Sequence, residues 1–296
     1  MIPRPNVPDE FDAFWQAVVA EAMAAPLYYM RDARPQRSIT GHLVETFDFT
    51  GMNGQVLHGW IAYPEGARRS PGFVWLPPYG RSSVLPDIYG TREGFVSLSF
   101  NFHGLGALHQ EKYVPSRGYF SQGVADPETW IFRELIQNAI ISCRVLEAQV
   151  EVDEERIGAA GMSQGAGMAI WLGTWCSIVK AICADMPFLG ATWVSLVRGA
   201  YRYPLKELND YAESIPIGLQ RVLNTVSYFD TVHQASRCVK PTLMSLGEKD
   251  PAVRPEYAEA VFDALTGEKQ LVRYAGGHDW DEGMIENNLA WFRQWL

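Results

Sequence analysis

The chain has 296 residues, of which 47% are hydrophobic, 12% aromatic and 20% charged, the make-up of a folded globular protein and not of a disordered or fibrous one. With 34 acidic residues against 25 basic ones the formal charge is −9, so no basic surplus exists to displace counterions from a phosphate backbone and no nucleic-acid partner is expected. The opening stretch MIPRPNVPDEFDAFW lacks the apolar core of a signal peptide and no run approaches a membrane span, so a soluble, cytoplasmic protein with no membrane partner is expected.

In chain order, DEFDAFWQAVVAEAMAAP places Phe11, Phe14, Trp15, Val18, Val19 and Ala22 at helical spacing behind Asp9 as a cap, and residues 1–40 read as a helical extension. LVETFDFTG and VLHGWIAYP, joined by the Gly-Asn-Gly-containing turn at residues 51–54, predict a β-hairpin. Beyond residue 70, strand and helix alternate. GFVWLPP and GFVSLSFNF are short apolar strands, and DPETWIFRELIQNAIISCRVLEAQ is a helix with Asp126 as cap and Pro127 in its first turn. RIGAAG is a strand running straight into SQGAGMAIWLG, a helix of small residues. AICADMP, PTLMSLGEKD and QLVRYAGGH are further strands; a helix with Pro255 near its start follows Asp250, and a closing helix over 284–296 is expected to bury Ile285, Leu289, Phe292 and Trp295. Residues 190–228 carry no strand and read as a helical insertion. This order predicts a single α/β domain over 1–296, with a mostly parallel sheet and helices on both faces.

The sequence G-M-S-Q-G at residues 161–165 puts Ser163 between a predicted strand and a predicted helix, where a nucleophile elbow belongs. Five residues alone say little; the strand–turn–helix setting carries the reading against that of a structural serine. A serine hydroxyl is a weak nucleophile and needs a base held by a third group. Only two histidines follow Ser163. His233 sits in the polar segment SYFDTVHQASR and reads as a surface residue, whereas His278, just past the last strand, reads as the base. Asp185 and Asp250 both end strands; Asp250 is favoured as the acid because a loop, a helix and the strand leading to His278 follow it, while Asp185 is expected to hold a loop or cap the insertion. Asp279 and Asp281 are too close in sequence to bend back onto that imidazole. For a negative oxygen, the N–H of Gln164 opens a helix, and since Pro77 and Pro78 cannot donate, the second N–H comes from Tyr79 or Gly80. Met162, Phe188 and Trp280, with Tyr79, are candidate walls of a substrate pocket, and each taken singly reads equally as core. Cys143, Cys176, Cys183 and Cys238 have no metal spacing, the histidines are dispersed, and no metal is expected.

On FDAFW, GWIAYP, PPYG, RGYFSQGVADPETWIFRELIQNAI, VDEERIGAAGMSQGAG, SYFDTVHQASRCVKPTLMSLGEKDPAVRPE and YAGGHDW, the chain resembles the acetyl xylan esterase / cephalosporin C deacetylase family of α/β-hydrolases over nearly its whole length. The resemblance implies an α/β-hydrolase fold, a triad of Ser163, Asp250 and His278, oxyanion amides at Tyr79 and Gln164, no cofactor, and a homo-oligomer. It implies a serine carboxylesterase that removes acetyl or other short acyl groups from small esters, among them acetylated oligosaccharides. Larger acyl esters or peptides are the alternative substrates, and a catalytically silent small-ligand binder is the alternative function. Two departures stand out. His103-Gly104-Leu105 occupies the place of the family's Arg-Gly-Gln, making His103 a further pocket candidate, and His278-Asp279 replaces the common His-Glu.

Overall fold

A computed structural model describes residues 6–39 and 41–296. Helix α1 (Phe11–Ala24) leads into strands β1 (Tyr29–Ile39), β2 (His42–Thr50), β3 (Val56–Pro64), β4 (Ser70–Leu76) and β5 (Val96–Phe100). Next come α2 (Ile131–Glu147), β6 (Val152–Met162), α3 (Gln164–Trp175) and β7 (Val179–Asp185). Four helices follow without a strand: α4 (Thr192–Arg198), α5 (Leu205–Ser214), α6 (Gly218–Phe229) and α7 (Thr231–Ala235). The chain closes with β8 (Thr242–Gly247), α8 (Pro255–Ala264), β9 (Lys269–Tyr274) and α9 (Gly283–Trp295). The strands form one sheet in the order β1-β2-β3-β5-β4-β6-β7-β8-β9, antiparallel from β1 to β5 and parallel from there to β9.

Period-two alternation divides the apolar side chains between two faces of this sheet. In β4, Val74 and Leu76 join one cluster while Phe73 and Trp75 join the other; in β7, Ile182 and Ala184 oppose Ala181 and Cys183. The first cluster is covered by α1, α2, α3 and the helices of the insertion, including buried Trp15, Phe132, Trp171 and Phe229. The second is covered by α9, through Met284, Trp291 and Phe292. Helices therefore lie on both faces, with most of them on one.

Local readings that depended on a single signal shifted. Among the described residues of the expected helical extension, Phe11–Ala24 is the helical part and Tyr29–Ile39 forms an edge strand antiparallel to β2, while residues 1–5 and 40 lie outside the described residues. No side chain caps α1, and Asp126 caps a turn ahead of α2, accepting the Glu128 amide at 2.8 Å, while the helix itself starts at Ile131. Helix α9 is rotated from its expected face: Met284, Asn288, Trp291 and Phe292 are buried, whereas Ile285, Leu289 and Trp295 are only partly so. Asn288 explains the rotation, since its side chain donates to the buried Asp185 at 2.9 Å and turns that face inward. The insertion consists of helices joined by short loops, with no strand among its described residues.

Candidate active site

Ser163 occupies the tight junction between β6 and α3, with φ +58° and ψ −115°, a conformation that strains an L-residue and persists only where its surroundings hold it. Its N–H donates to the Asp185 carbonyl at 2.9 Å, and its own carbonyl accepts the Phe188 and Gly167 amides at 2.9 and 3.1 Å. The junction also needs its glycines. A Cβ on Gly161 would stand 2.4 Å from the Gly165 backbone, and one on Gly165 would stand 2.0 Å from the Leu76 carbonyl. Only because strand and helix approach this closely does the Ser163 side chain stand clear at the end of the sheet.

The loops after β8 and β9 deliver the other two groups. Gly247 lets them meet, since a Cβ there would come within 2.3 Å of the Gly277 carbonyl. The Lys249 amide then donates to the Gly276 carbonyl at 3.0 Å and joins the two loops. Across this junction the His278 Nδ1–H donates to Asp250 Oδ2 at 2.6 Å, and His278 Nε2 accepts from the Ser163 hydroxyl at 2.9 Å. Asp250 Oδ1 accepts the Ala252 and Val253 amides at 2.7 and 2.8 Å, and the carboxylate is fully buried. One carboxylate oxygen is thus anchored by its own loop, and the other orients the imidazole. The arrangement can take a proton from a hydroxyl and stabilise the positive ring that results.

Asp185 ends β7 one strand away and does not join this chain of hydrogen bonds. Its carboxylate accepts from Ser245 Oγ at 2.6 Å and Asn288 Nδ2 at 2.9 Å, tying β7 to β8 and α9 and neither holding a loop nor capping the insertion. Burial raises its pKa against the lowering effect of those two donors and of Arg92. Asp279 and Asp281 accept the backbone amides of Trp280 and Gly283 in their own loop. His233 is not a surface residue: it is buried, with Nδ1 on the Ser227 carbonyl at 2.8 Å and its ring stacked on Trp193. A polar local sequence concealed a histidine enclosed by the insertion.

The loop after β4 approaches from the other side. The Gly80 N–H donates to the Tyr119 hydroxyl at 3.3 Å, and that hydroxyl donates to Gln164 Oε1 at 2.9 Å, so one buried phenol links the 79–80 loop to the start of α3. With the Gly80 N–H engaged, Tyr79 is the residue of that loop left to offer an amide beside Ser163. The Tyr79 hydroxyl donates to Glu207 Oε1 at 3.0 Å, and the Glu207 carboxylate also accepts the Gly118 and Phe120 amides at 2.6 and 3.1 Å. Burial first, and then the Glu207 carboxylate, push the Tyr79 phenol well above its ordinary pKa and keep it a donor. The sequence reading missed Tyr119 and Glu207. Tyr119 lies in the RGYFSQG block that carried the resemblance, while nothing local marks Glu207, whose neighbours on α5 are ordinary helix formers.

A cavity of about 910 Å³ opens over Ser163 and His278, and Met162, Tyr79, Phe188 and Trp280 all line it, as expected. Its far side is formed by the insertion between Ser195 and Leu205, a role the sequence did not indicate. His103 does not line it. The ring centroid sits 4.3 Å from that of the Tyr119 ring, and the ring faces a second, polar cavity of about 390 Å³. Burial and then Arg81 lower its pKa to about 4, so the ring is neutral where the family's guanidinium would be charged. In this chain His103 packs against Tyr119, whose hydroxyl accepts the Gly80 amide, and does not line the cavity over Ser163. Among the described residues, no cluster of three metal-ligating side chains occurs and no helix is long and apolar enough to cross a membrane.

Residues 2–295 match the family model described as acetyl xylan esterase. An acetyl esterase named Axe7A from Xylanibacter ruminicola is 21% identical over 286 residues; the match covers 90% of this chain, which spans 62% of that relative's length. Among solved structures, the acetyl xylan esterase from Paenibacillus sp. R4 superposes with a TM-score of 0.88 at 23% identity, covering 99% of this chain and 97% of that one. Acetyl xylan esterase 1 from Thermoanaerobacterium sp. JW/SL YS485 gives 0.86 at 19% identity, covering 98% and 95%. At these identities the superpositions establish the α/β-hydrolase fold.

Proposed function

From the premise that the chain belongs to the acetyl xylan esterase family, and is a carboxylic ester hydrolase, we propose that it removes acetyl groups from acetylated sugars through Ser163, His278 and Asp250. The observation that carries the reading is the unbroken hydrogen-bonded chain from the Ser163 hydroxyl through His278 to a buried, loop-anchored carboxylate. Ser163 Oγ attacks the ester carbonyl carbon as its proton passes to His278 Nε2. The Tyr79 and Gln164 amides take the negative charge that develops on the carbonyl oxygen. Collapse of the tetrahedral intermediate returns the proton to the leaving alcohol and leaves an acetyl-serine. Water, deprotonated by the same imidazole, then releases acetate and restores the hydroxyl.

Acyl-chain length tests this reading. Met162 and Phe188 are 4% and 7% exposed, and Phe188 is packed on Phe120 at 5.6 Å between ring centroids, so neither can swing away from a longer chain. An added methylene that fits normally gains about 0.8 kcal/mol of burial, so an open groove would favour longer esters severalfold per carbon. Here kcat/KM is expected to fall steadily along the acetyl, butyryl and octanoyl esters of one chromogenic alcohol. Octanoate hydrolysed as well as acetate would end the deacetylase reading.

A homo-oligomer and a cytoplasmic location belong to the same proposal. Strand β1 is a sheet edge whose beginning exposes apolar side chains, Tyr28 just ahead of it at 67% and Met30 within it at 71%, which a second copy would cover. The four cysteines are buried free thiols, which suits a reducing compartment. Light scattering at micromolar concentration is expected to return a multiple of the chain mass, and a monomer would refute the assembly.

A further inference from the structure

The cavity over Ser163 has an asymmetry of charge that hydrolysis of a neutral acetyl ester does not require. Around the reacting groups its walls are aromatic and apolar, but three arginines line it farther out: Arg198 at the end of α4, Arg202 in the loop before α5, and Arg254 just ahead of α8. The chain as a whole carries −9, so its average field repels anions and a local group of cations goes against the composition. Asp279, the acidic residue among the lining side chains, turns one oxygen to the Trp280 amide. Nearby carboxylates are otherwise engaged. Glu207 is wholly buried and receives backbone amides, and Asp210 pairs with Lys206 and, at 3.8 Å, with Arg117.

Among the described residues no carboxylate forms an ion pair with Arg198 or Arg202, and Arg254 has a loose contact of 3.8 Å with the exposed Glu256. The Arg202 guanidinium lies over the Tyr201 ring, 5.6 Å from its centroid. That contact, between two exposed side chains, leaves its N–H donors unused. Guanidinium forks match carboxylates and other oxyanions with two parallel hydrogen bonds, which makes arginine the side chain suited to recognising such a group.

We propose that this rim is an anion subsite, in which Arg198, Arg202 and Arg254 hold a carboxylate or another oxyanion carried by the alcohol half of the ester. The inference rests on the esterase reading and narrows its substrate class to acetyl esters of acidic alcohols, such as sugars bearing a carboxylate. The helical insertion then has a task. It carries two of the three arginines to the alcohol side of a cavity whose acyl side is built by the sheet.

The test compares 4-acetoxybenzoate and 4-acetoxybenzenesulfonate with the neutral methyl 4-acetoxybenzoate, in the full chain and in an Arg198→Gln/Arg202→Gln/Arg254→Gln variant. Each exposed pair is individually weak, and three together are expected to move the anionic-to-neutral ratio of kcat/KM by roughly tenfold. That ratio should fall in the variant, and in the parent chain it should also fall as salt is raised from low to physiological strength. Equal loss for both anions identifies an oxyanion site without preference between the groups, and greater loss for the carboxylate identifies a site fitted to the planar group. A ratio unchanged by the triple substitution overturns the subsite while leaving hydrolysis of the neutral ester, and with it the esterase reading, intact. Should the triple variant fail to fold, Arg198→Gln and Arg202→Gln singly are expected to lower the ratio about twofold each. If no ester is cleaved, the esterase reading itself fails. Calorimetric binding of 4-hydroxybenzoate then decides the subsite: affinity lost in the variants supports it, and affinity kept removes it.

Discussion

Ser163→Ala is expected to lower kcat/KM on a short acetyl ester by about 10⁴-fold or more, and His278→Ala to do nearly the same. Without Oγ no acyl-enzyme forms, and without the imidazole that Oγ approaches at 2.9 Å the hydroxyl keeps its proton. Because the two groups act on one proton, the double variant should be little worse than either single one. Neither change should unfold the chain. Alanine meets the same backbone strain as serine at residue 163, and removing His278 leaves Asp250 with two backbone donors on its other oxygen. Initial rates on a chromogenic acetate, together with thermal melts, check both statements. Activity near that of the parent chain in either variant would remove the nucleophile or the base from the proposal.

Asp250→Asn is expected to cost about 10³- to 10⁴-fold in kcat, and Asp185→Asn no more than a few fold. The difference follows from hydrogen-bond inventories. Asp250 Oδ1 accepts two backbone amides, so an asparagine there must turn its carbonyl to them and its NH₂ toward His278. A donor facing Nδ1 drives the ring proton to Nε2, and the imidazole can no longer accept from Ser163. Asp185 is different. Its partner Asn288 has a buried Oδ1 with no hydrogen-bond partner among the described residues, which can accept from the introduced amide after a side-chain flip. Ser245 Oγ, as donor or acceptor, suits either group. Steady-state kinetics of the two variants decide the matter, and the reverse order of effects would move the acid from β8 to β7.

The alternation of short apolar strands with amphipathic helices was enough to specify a parallel sheet with covered faces, because side-chain periodicity is a local property of the backbone. For the same reason the sequence alone placed Ser163 on a strand–helix junction, with glycines where any Cβ would clash, and His278 past the last strand. Where several residues satisfied the same local rule, the sequence left the outcome open. Asp185 and Asp250 both end strands; chain order favoured Asp250 without excluding Asp185, and the packing of α9, which engages Asp185 through Asn288, together with the loop contact at Gly247, sets them apart in the structure. His103 and His233 were misplaced because burial of a polar ring depends on elements distant in sequence: Tyr119 for the first, Trp193 and Ser227 for the second. The same holds for the Tyr119 link between the two amide-bearing loops and for the arginine rim, which gathers residues from α4, the α4–α5 loop and the start of α8. Local sequence determined the elements and the reactive side chains. The long-range contacts, formed only when the sheet and the insertion close on one another, decided which of those side chains meet.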